Sequence, residues 1–185
     1  KRVTLESLRT FIKRDRAKLP KEKWPVIYDI SELDAVDYIC HCPECKKVIA
    51  VNQSESDLLL SYINFIAEEI KKEYPEIIIR TGARRRMPGK IRPADNVLVR
   101  VDNSFLISPF VPVNLKDHPD YAVFFLSWQK ITSQLQMWDY WNLGGSYHTP
   151  PRVETILDCI QPDLQLFHKN KVVSMFIECG KDRAA

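Results

Sequence analysis

The sequence predicts an α/β protein in which parallel strands alternate with helices. Three observations carry this. Apolar runs of strand length alternate along the chain with stretches of helical period. The strand runs are short and continuously apolar, as in a parallel sheet covered on both faces. Polar residues then fall at their carboxyl ends, at Asp29, Ser31, Thr81, Asp102, Asp139 and Glu178. That edge is where parallel α/β proteins assemble their ligand sites. About five strands are legible in the 185 residues, whereas a closed (β/α)8 TIM-type barrel takes about 250 residues. The expectation is therefore part of such a barrel, with an open doubly wound sheet as the alternative. The length suits one α/β domain over residues 1–185.

Residues 4–18 place Leu5, Leu8, Phe11 and Ile12 at helical spacing on a basic background, with Thr4 as N-cap and Pro20 as terminator. Residues 24–30 read as a buried strand. A loop with Ser31, Glu32, Asp34 and Asp37 leads from it into three clustered cysteines. Residues 54–74 form the clearest helix: Ser54 or Ser56 caps it, and Leu58, Leu59, Tyr62, Ile63, Phe65, Ile66 and Ile70 make its apolar face. Lys71 and Lys72 suit its carboxyl-terminal dipole, and Pro75 stops it. Strands follow at residues 76–81 and 96–101, joined by a loop holding Pro88, Gly89 and Pro93. Residues 120–131 are a helix with Tyr121, Phe124, Phe125 and Trp128. Leu135-Gln136-Met137-Trp138 is the next strand. Residues 151–168 are helical, with Pro162 kinking the helix or starting a second one. Residues 172–177 are the last strand.

Net charge is +3, and the basic residues concentrate in residues 9–23 and 80–92. The first cluster holds a single aromatic, Phe11, and the second none, so a nucleic-acid partner is not expected. No apolar run is long enough to span a membrane. The chain starts at Lys1, so its lack of a secretory signal says little about compartment. There is no P-loop, dinucleotide fingerprint or Gly-x-Ser-x-Gly elbow.

The richest chemistry lies in Trp138-Asp139-Tyr140-Trp141-Asn142 and the Gly-rich loop through Tyr147 and His148. Aromatic rings stack on the apolar faces of sugars, and a carboxylate among them can move a proton or stabilise positive charge. Asp139 and Glu178 end consecutive strands. Neighbouring strands lie about 4.8 Å apart, so the two carboxylates are the candidate catalytic acid/base pair. An aromatic wall of Trp138, Trp141 and Phe176 would favour the protonated acid by desolvation. Asp34, Trp138, Tyr140, Trp141, Asn142, Tyr147 and His148 are the candidate substrate contacts, and an oligosaccharide or polysaccharide is the expected partner. Arg84, Arg85 and Arg86 could recognise a uronic acid carboxylate. His118 and His168 read as surface residues.

The five cysteines are an odd number, so a complete disulfide framework is excluded. Cys40, Cys42 and Cys45 form a Cys-x-Cys-x-x-Cys half-site for zinc, which wants four ligands. Buried thiols or one local disulfide are the alternatives. No other cofactor is indicated, and oligomeric state is not legible.

Several pieces together resemble a known family. They are Asp29-Ile30-Ser31 with Asp34, the cysteine cluster, Asn64, Tyr74-Pro75, Pro93-Ala94-Asp95-Asn96-Val97, Trp128, Trp138-Asp139-Tyr140 and Phe176-Ile177-Glu178-Cys179-Gly180. Over about residues 25–180 the chain resembles the middle and C-terminal part of an uncharacterised bacterial glycosidase-like domain of unknown function. That resemblance implies a (β/α)-barrel distantly related to α-glucuronidases, and so a glycoside hydrolase acting on polysaccharide fragments. It implies that the chain is the C-terminal part of a larger catalytic barrel, whose first strands could hold a further acid. It also implies a periplasmic or extracellular setting. A non-catalytic carbohydrate-binding module and a zinc-stabilised interaction domain are the rival expectations.

Overall fold

A computed structural model describes residues 1–32, 39–83, 86–102, 112–141 and 156–178. Asp34, Asn142, Tyr147 and His148 of the expected substrate contacts lie outside the described residues, as do Arg84 and Arg85. The described elements are α1 (Arg2–Lys18), β1 (Ile27–Asp29), α2 (Pro43–Asn52), α3 (Glu55–Glu73), β2 (Ile78–Gly82), β3 (Val97–Asp102), α4 (Pro119–Ile131), β4 (Leu135–Tyr140), α5 (Leu157–Lys169) and β5 (Ser174–Glu178). The strands are parallel and form one sheet in the order β1-β2-β3-β4-β5. A doubly wound sheet reverses its strand order at a switch point. No reversal occurs among these strands, so the sequential progression of a (β/α)-barrel is the topology that fits. No described helix is long and apolar enough to cross a membrane.

The chain divides into two compact units, Lys1–Gly82 with Arg86–Val99, and Ala83–Arg85 with Arg100–Ala185. In the first, β1 and β2 pair in the register Ile27↔Ile78, Tyr28↔Ile79 and Asp29↔Arg80. Its core is Leu5, Leu8 and Ile12 of α1, Leu60, Ile63, Ile66 and Ile70 of α3, and Ile77 and Ile79. Asn64, on α3, holds the loop before β3 by donating to the Arg92 carbonyl and accepting from the Ala94 N–H, at 2.8 and 2.9 Å. Asp57, buried in the first turn of α3, accepts from the N–H groups of Lys90 and Ile91 at 2.7 and 3.1 Å. Gly89 makes this possible. A Cβ there would stand 2.5 Å from Asp57 Oδ2 and 2.6 Å from Ser54 Cβ.

Four details differ from the sequence expectation. The strand at β1 is not buried: Ile27 is 39% exposed, and Val26 just before it 49%. It comes first in the strand order, with β2 as its described neighbour, so apolar content there did not translate into coverage. Helix α1 starts at Arg2, and Thr4, inside its first turn, hydrogen-bonds the Tyr62 hydroxyl instead of capping. Ser54 does stand at the N-cap of α3, yet its hydroxyl donates to the Met87 carbonyl. Helix α2 is an element that the sequence pattern does not announce. None of its residues is buried, so it carries no apolar stripe for periodicity to detect. Its start signal was present all the same: Cys42 is extended at the N-cap, and Pro43 takes the first helical position.

In the second unit, β4 and β5 pair from Gln136↔Ser174 to Tyr140↔Glu178. Tyr121, Phe124, Phe125 and Trp128 of α4 and Cys159 and Phe167 of α5 are buried, with the Tyr121 and Phe125 rings stacked at 5.9 Å. Helix α5 runs through Pro162, whose ring denies the Asp158 carbonyl its usual partner. His118 is the N-cap of α4 and only half exposed; its Nε2 is buried without a hydrogen-bond partner. His168 is exposed as expected.

Candidate functional site

Side chains alternate between the faces of a strand, and residues opposite one another in a ladder share a face. The register therefore sorts β4 and β5 into two surfaces. Gln136, Trp138 and Tyr140 go with Ser174, Phe176 and Glu178; Met137 and Asp139 go with Met175 and Ile177. The contacts agree. Gln136 Nε2 donates to Ser174 Oγ at 3.0 Å, and the Trp138 indole N–H donates to Glu178 Oε2 at 3.2 Å. The Trp138 ring lies 4.8 Å from Phe176, edge-on, and 5.9 Å from Tyr140, stacked.

The Arg100 guanidinium, from β3, sits 4.3 Å over the Trp138 ring, a cation–π contact. Alternation then puts Asp102, two residues on, on the same face as Arg100. Trp138, Tyr140, Asp102 and Glu178 are all half-buried there, and Phe176 is 42% exposed. Arginine, indole, phenol and two carboxylates thus end three strands on a single accessible face.

Asp139 is not on it. Its side chain is only 4% exposed and belongs to the opposite face. Its oxygens accept from the Tyr140 N–H at 2.8 Å and from the Trp141 indole N–H at 3.0 Å. Asp139 and Glu178 are consecutive in the ladder yet point apart, so the register does not bring the expected pair together. Asp139 instead faces the buried side of α4 and α5. Burial, followed by the nearby charges of Asp139, Asp102 and Asp163, pushes the Tyr121 hydroxyl well above its ordinary range. Asp163, 3% exposed, is pushed up to about 7, first by burial and further by Asp139, against the opposing hydrogen bond from the Val113 N–H at 2.6 Å. Burial and Asp163 likewise push the Cys159 thiol up.

The carboxyl ends of β1 and β2 look different. Asp29 accepts from Arg80 Nε at 2.6 Å and from the Ser31 N–H at 2.8 Å. Thr81, buried, donates to the Ile30 carbonyl at 3.2 Å. Arg86, expected to meet a uronate, is paired with Glu32 and Glu55 and is only 12% exposed. Internal pairing, not ligand recognition, accounts for that guanidinium.

The thiols of Cys40, Cys42 and Cys45 all lie within 4.8 Å of one another, a group that could hold a metal ion. Hydrogen bonding from the Cys45 backbone N–H, and then from the neighbouring thiols, lowers the Cys42 thiol from its ordinary range. Cys45 is pushed up to about 12, because hydrogen bonds with Cys40 and Cys42 favour its protonated form. Beside the cluster a cavity of about 460 Å³ is lined by Cys40, Cys45, Glu32, Glu44, Leu58 and Tyr62 among others.

Comparison with known proteins places the chain by its pattern over nearly its whole length: residues 4–183 match the family described as "Domain of unknown function (DUF4838)". The chain belongs to the DUF4838 family. No curated protein and no solved structure matches it. The DUF4838 membership bears out the resemblance to a domain of unknown function and carries no activity with it. In this DUF4838 chain Asp102, placed at a strand end by the sequence but not counted among the candidate catalytic or substrate residues, joins the candidate face. Its signal was available: it ends a strand and lies two residues beyond Arg100, hence on the same face.

Proposed function

We propose that this chain is a carbohydrate-acting module, a glycoside hydrolase or part of one, that binds an oligosaccharide on the exposed face of β3, β4 and β5. One observation carries the reading: the Trp138 ring meets Arg100, Tyr140 and Phe176 while its N–H donates to Glu178, so aromatic rings and a carboxylate adjoin on one face. Such a surface offers a sugar a stacking platform and an acceptor for its hydroxyls. Glu178 is the carboxylate we assign to proton transfer. Asp102 is the better partner than Asp139. Two strand spacings separate β3 from β5, about 9.6 Å between backbones, which is close to the upper end of the about 6.5–9.5 Å that inverting glycosidases use between carboxyl groups. Asp139 becomes a positioning residue that holds the Trp141 indole from behind. A distant relationship to α-glucuronidase-type barrels is part of the same proposal, and with it go a polysaccharide-derived substrate and a periplasmic or extracellular setting.

A glycan array followed by a reducing-sugar assay on the ligands found is the test. Binding with turnover supports the hydrolase. Binding without turnover supports a carbohydrate-binding module using the same face. No glycan binding at millimolar ligand ends both readings.

A further inference from the structure

We propose that Cys40, Cys42 and Cys45 form a three-thiolate site for a zinc ion at the start of α2, its fourth coordination position turned toward the neighbouring cavity. The inference is independent of the carbohydrate reading, and either can fail without the other. The backbone builds the site. Cys42 is extended at the N-cap, and Cys45 stands three residues on, so helical geometry returns its side chain beneath the cap. Cys40 precedes Cys42 by two residues, and in extended chain such side chains share a side. Pro43 at the first helical position fixes the turn between them.

Zinc–thiolate bonds of about 2.3 Å in tetrahedral geometry place sulfurs about 3.8 Å apart. The three thiols already lie within 4.8 Å, so small side-chain rotations close the shell. Lys1 lines the adjoining cavity and adds positive charge near a site that three thiolates and one zinc ion leave at −1. Among the described residues no histidine, aspartate or glutamate joins the group. We assign the fourth position to water or a small molecule entering by the cavity, which both Cys40 and Cys45 line. Three protein ligands with an open position is the arrangement of exchangeable rather than closed zinc sites.

The test uses the full chain, reduced with a phosphine, loaded with zinc chloride and desalted. The result expected is about one zinc per chain, falling below about 0.2 in Cys40→Ser, Cys42→Ser and Cys45→Ser and unchanged in Cys159→Ser. In the wild-type protein zinc should slow alkylation of the three thiols by about tenfold or more while leaving Cys159 unaffected. That footprint needs no variant, so it decides the matter even where a serine variant fails to fold. Less than about 0.2 equivalents in the wild type, zinc retained by Cys42→Ser, equal alkylation rates with and without zinc, or a disulfide forming within the cluster in the presence of stoichiometric zinc would each overturn the site.

Discussion

The carboxyl ends of β1 and β2 and those of β4 and β5 begin from the same sequence logic and arrive at different chemistry. Each places polar side chains just past an apolar strand. At β1 and β2 those groups satisfy one another: Asp29 takes Arg80 and the Ser31 N–H, and Thr81 takes the Ile30 carbonyl. At β4 and β5 the residues that alternate with the polar ones are aromatic. There the Trp138 indole N–H donates to Glu178, and the Trp138, Tyr140 and Phe176 rings pack together on the same face. Position at a strand end is thus not enough to mark a ligand site. The surroundings of the two carboxylates differ as well: a guanidinium and a backbone N–H at Asp29, a cluster of rings at Glu178.

The sharpest way to break this contrast is Glu178→Gln. If Glu178 transfers a proton, the amide lowers turnover of whichever glycan the array identifies by at least about a hundredfold, with a melting temperature close to that of the wild type. Unchanged turnover would remove Glu178 from the chemistry. Next in size is Trp138→Ala, which removes the stacking platform and the cation–π partner of Arg100. Glycan affinity should fall about tenfold, close to 1.4 kcal/mol, in isothermal titration. Full affinity in this variant would move the binding surface elsewhere.

The hidden side of β4 can be probed through pH. Asp163 titrates near 7 in the folded chain, because burial and then Asp139 disfavour its charge, against an ordinary carboxyl value of about 3.9. Between those values the folded state holds a proton that the unfolded state has released. The contribution to stability is therefore complete below about pH 4 and declines as pH rises through about 7, by at most about 1.4 kcal/mol per pH unit. Asp163→Asn keeps an acceptor for the Val113 N–H and should flatten this part of the stability profile in chemical denaturation between pH 5 and about 7.5. A variant whose slope matches that of the wild type would show that Asp163 is not the group responsible.

Much of this was legible in the chain, for identifiable reasons. The helix at α3 announces itself because its buried residues recur on one stripe, and the strands because their apolar runs are short and bounded by proline, glycine or charge. Periodicity failed where burial did: α2 has no buried residue, and β1 has apolar residues that the fold leaves exposed. In the candidate site, the aromatic content and Glu178 were readable from composition at the strand ends. The pairing of Asp139 with Glu178 was not, because which residues share a face depends on register, and register is a property of two strands at once. Tyr140, not Asp139, stands opposite Glu178. Spacing along one strand could only show that Asp139 and Tyr140 face opposite ways.

The smallest effect expected is the one that tests the contrast from its other side. Asp29→Asn leaves an oxygen to accept from the Ser31 N–H and removes the charge that faces Arg80. Both partners keep solvent access, at 30% for Asp29 and 25% for Arg80, so water screens much of what the ion pair offers. The loss of stability should stay below about 1 kcal/mol and shrink further as salt is raised. Glycan binding and turnover should match the wild type, since nothing in the internal pairing of Asp29 requires a ligand. If this substitution instead abolished turnover while the fold held, the Arg80 pair would have to open during the reaction, and the contrast between an ion-paired strand end and an aromatic one would fail where it looks strongest.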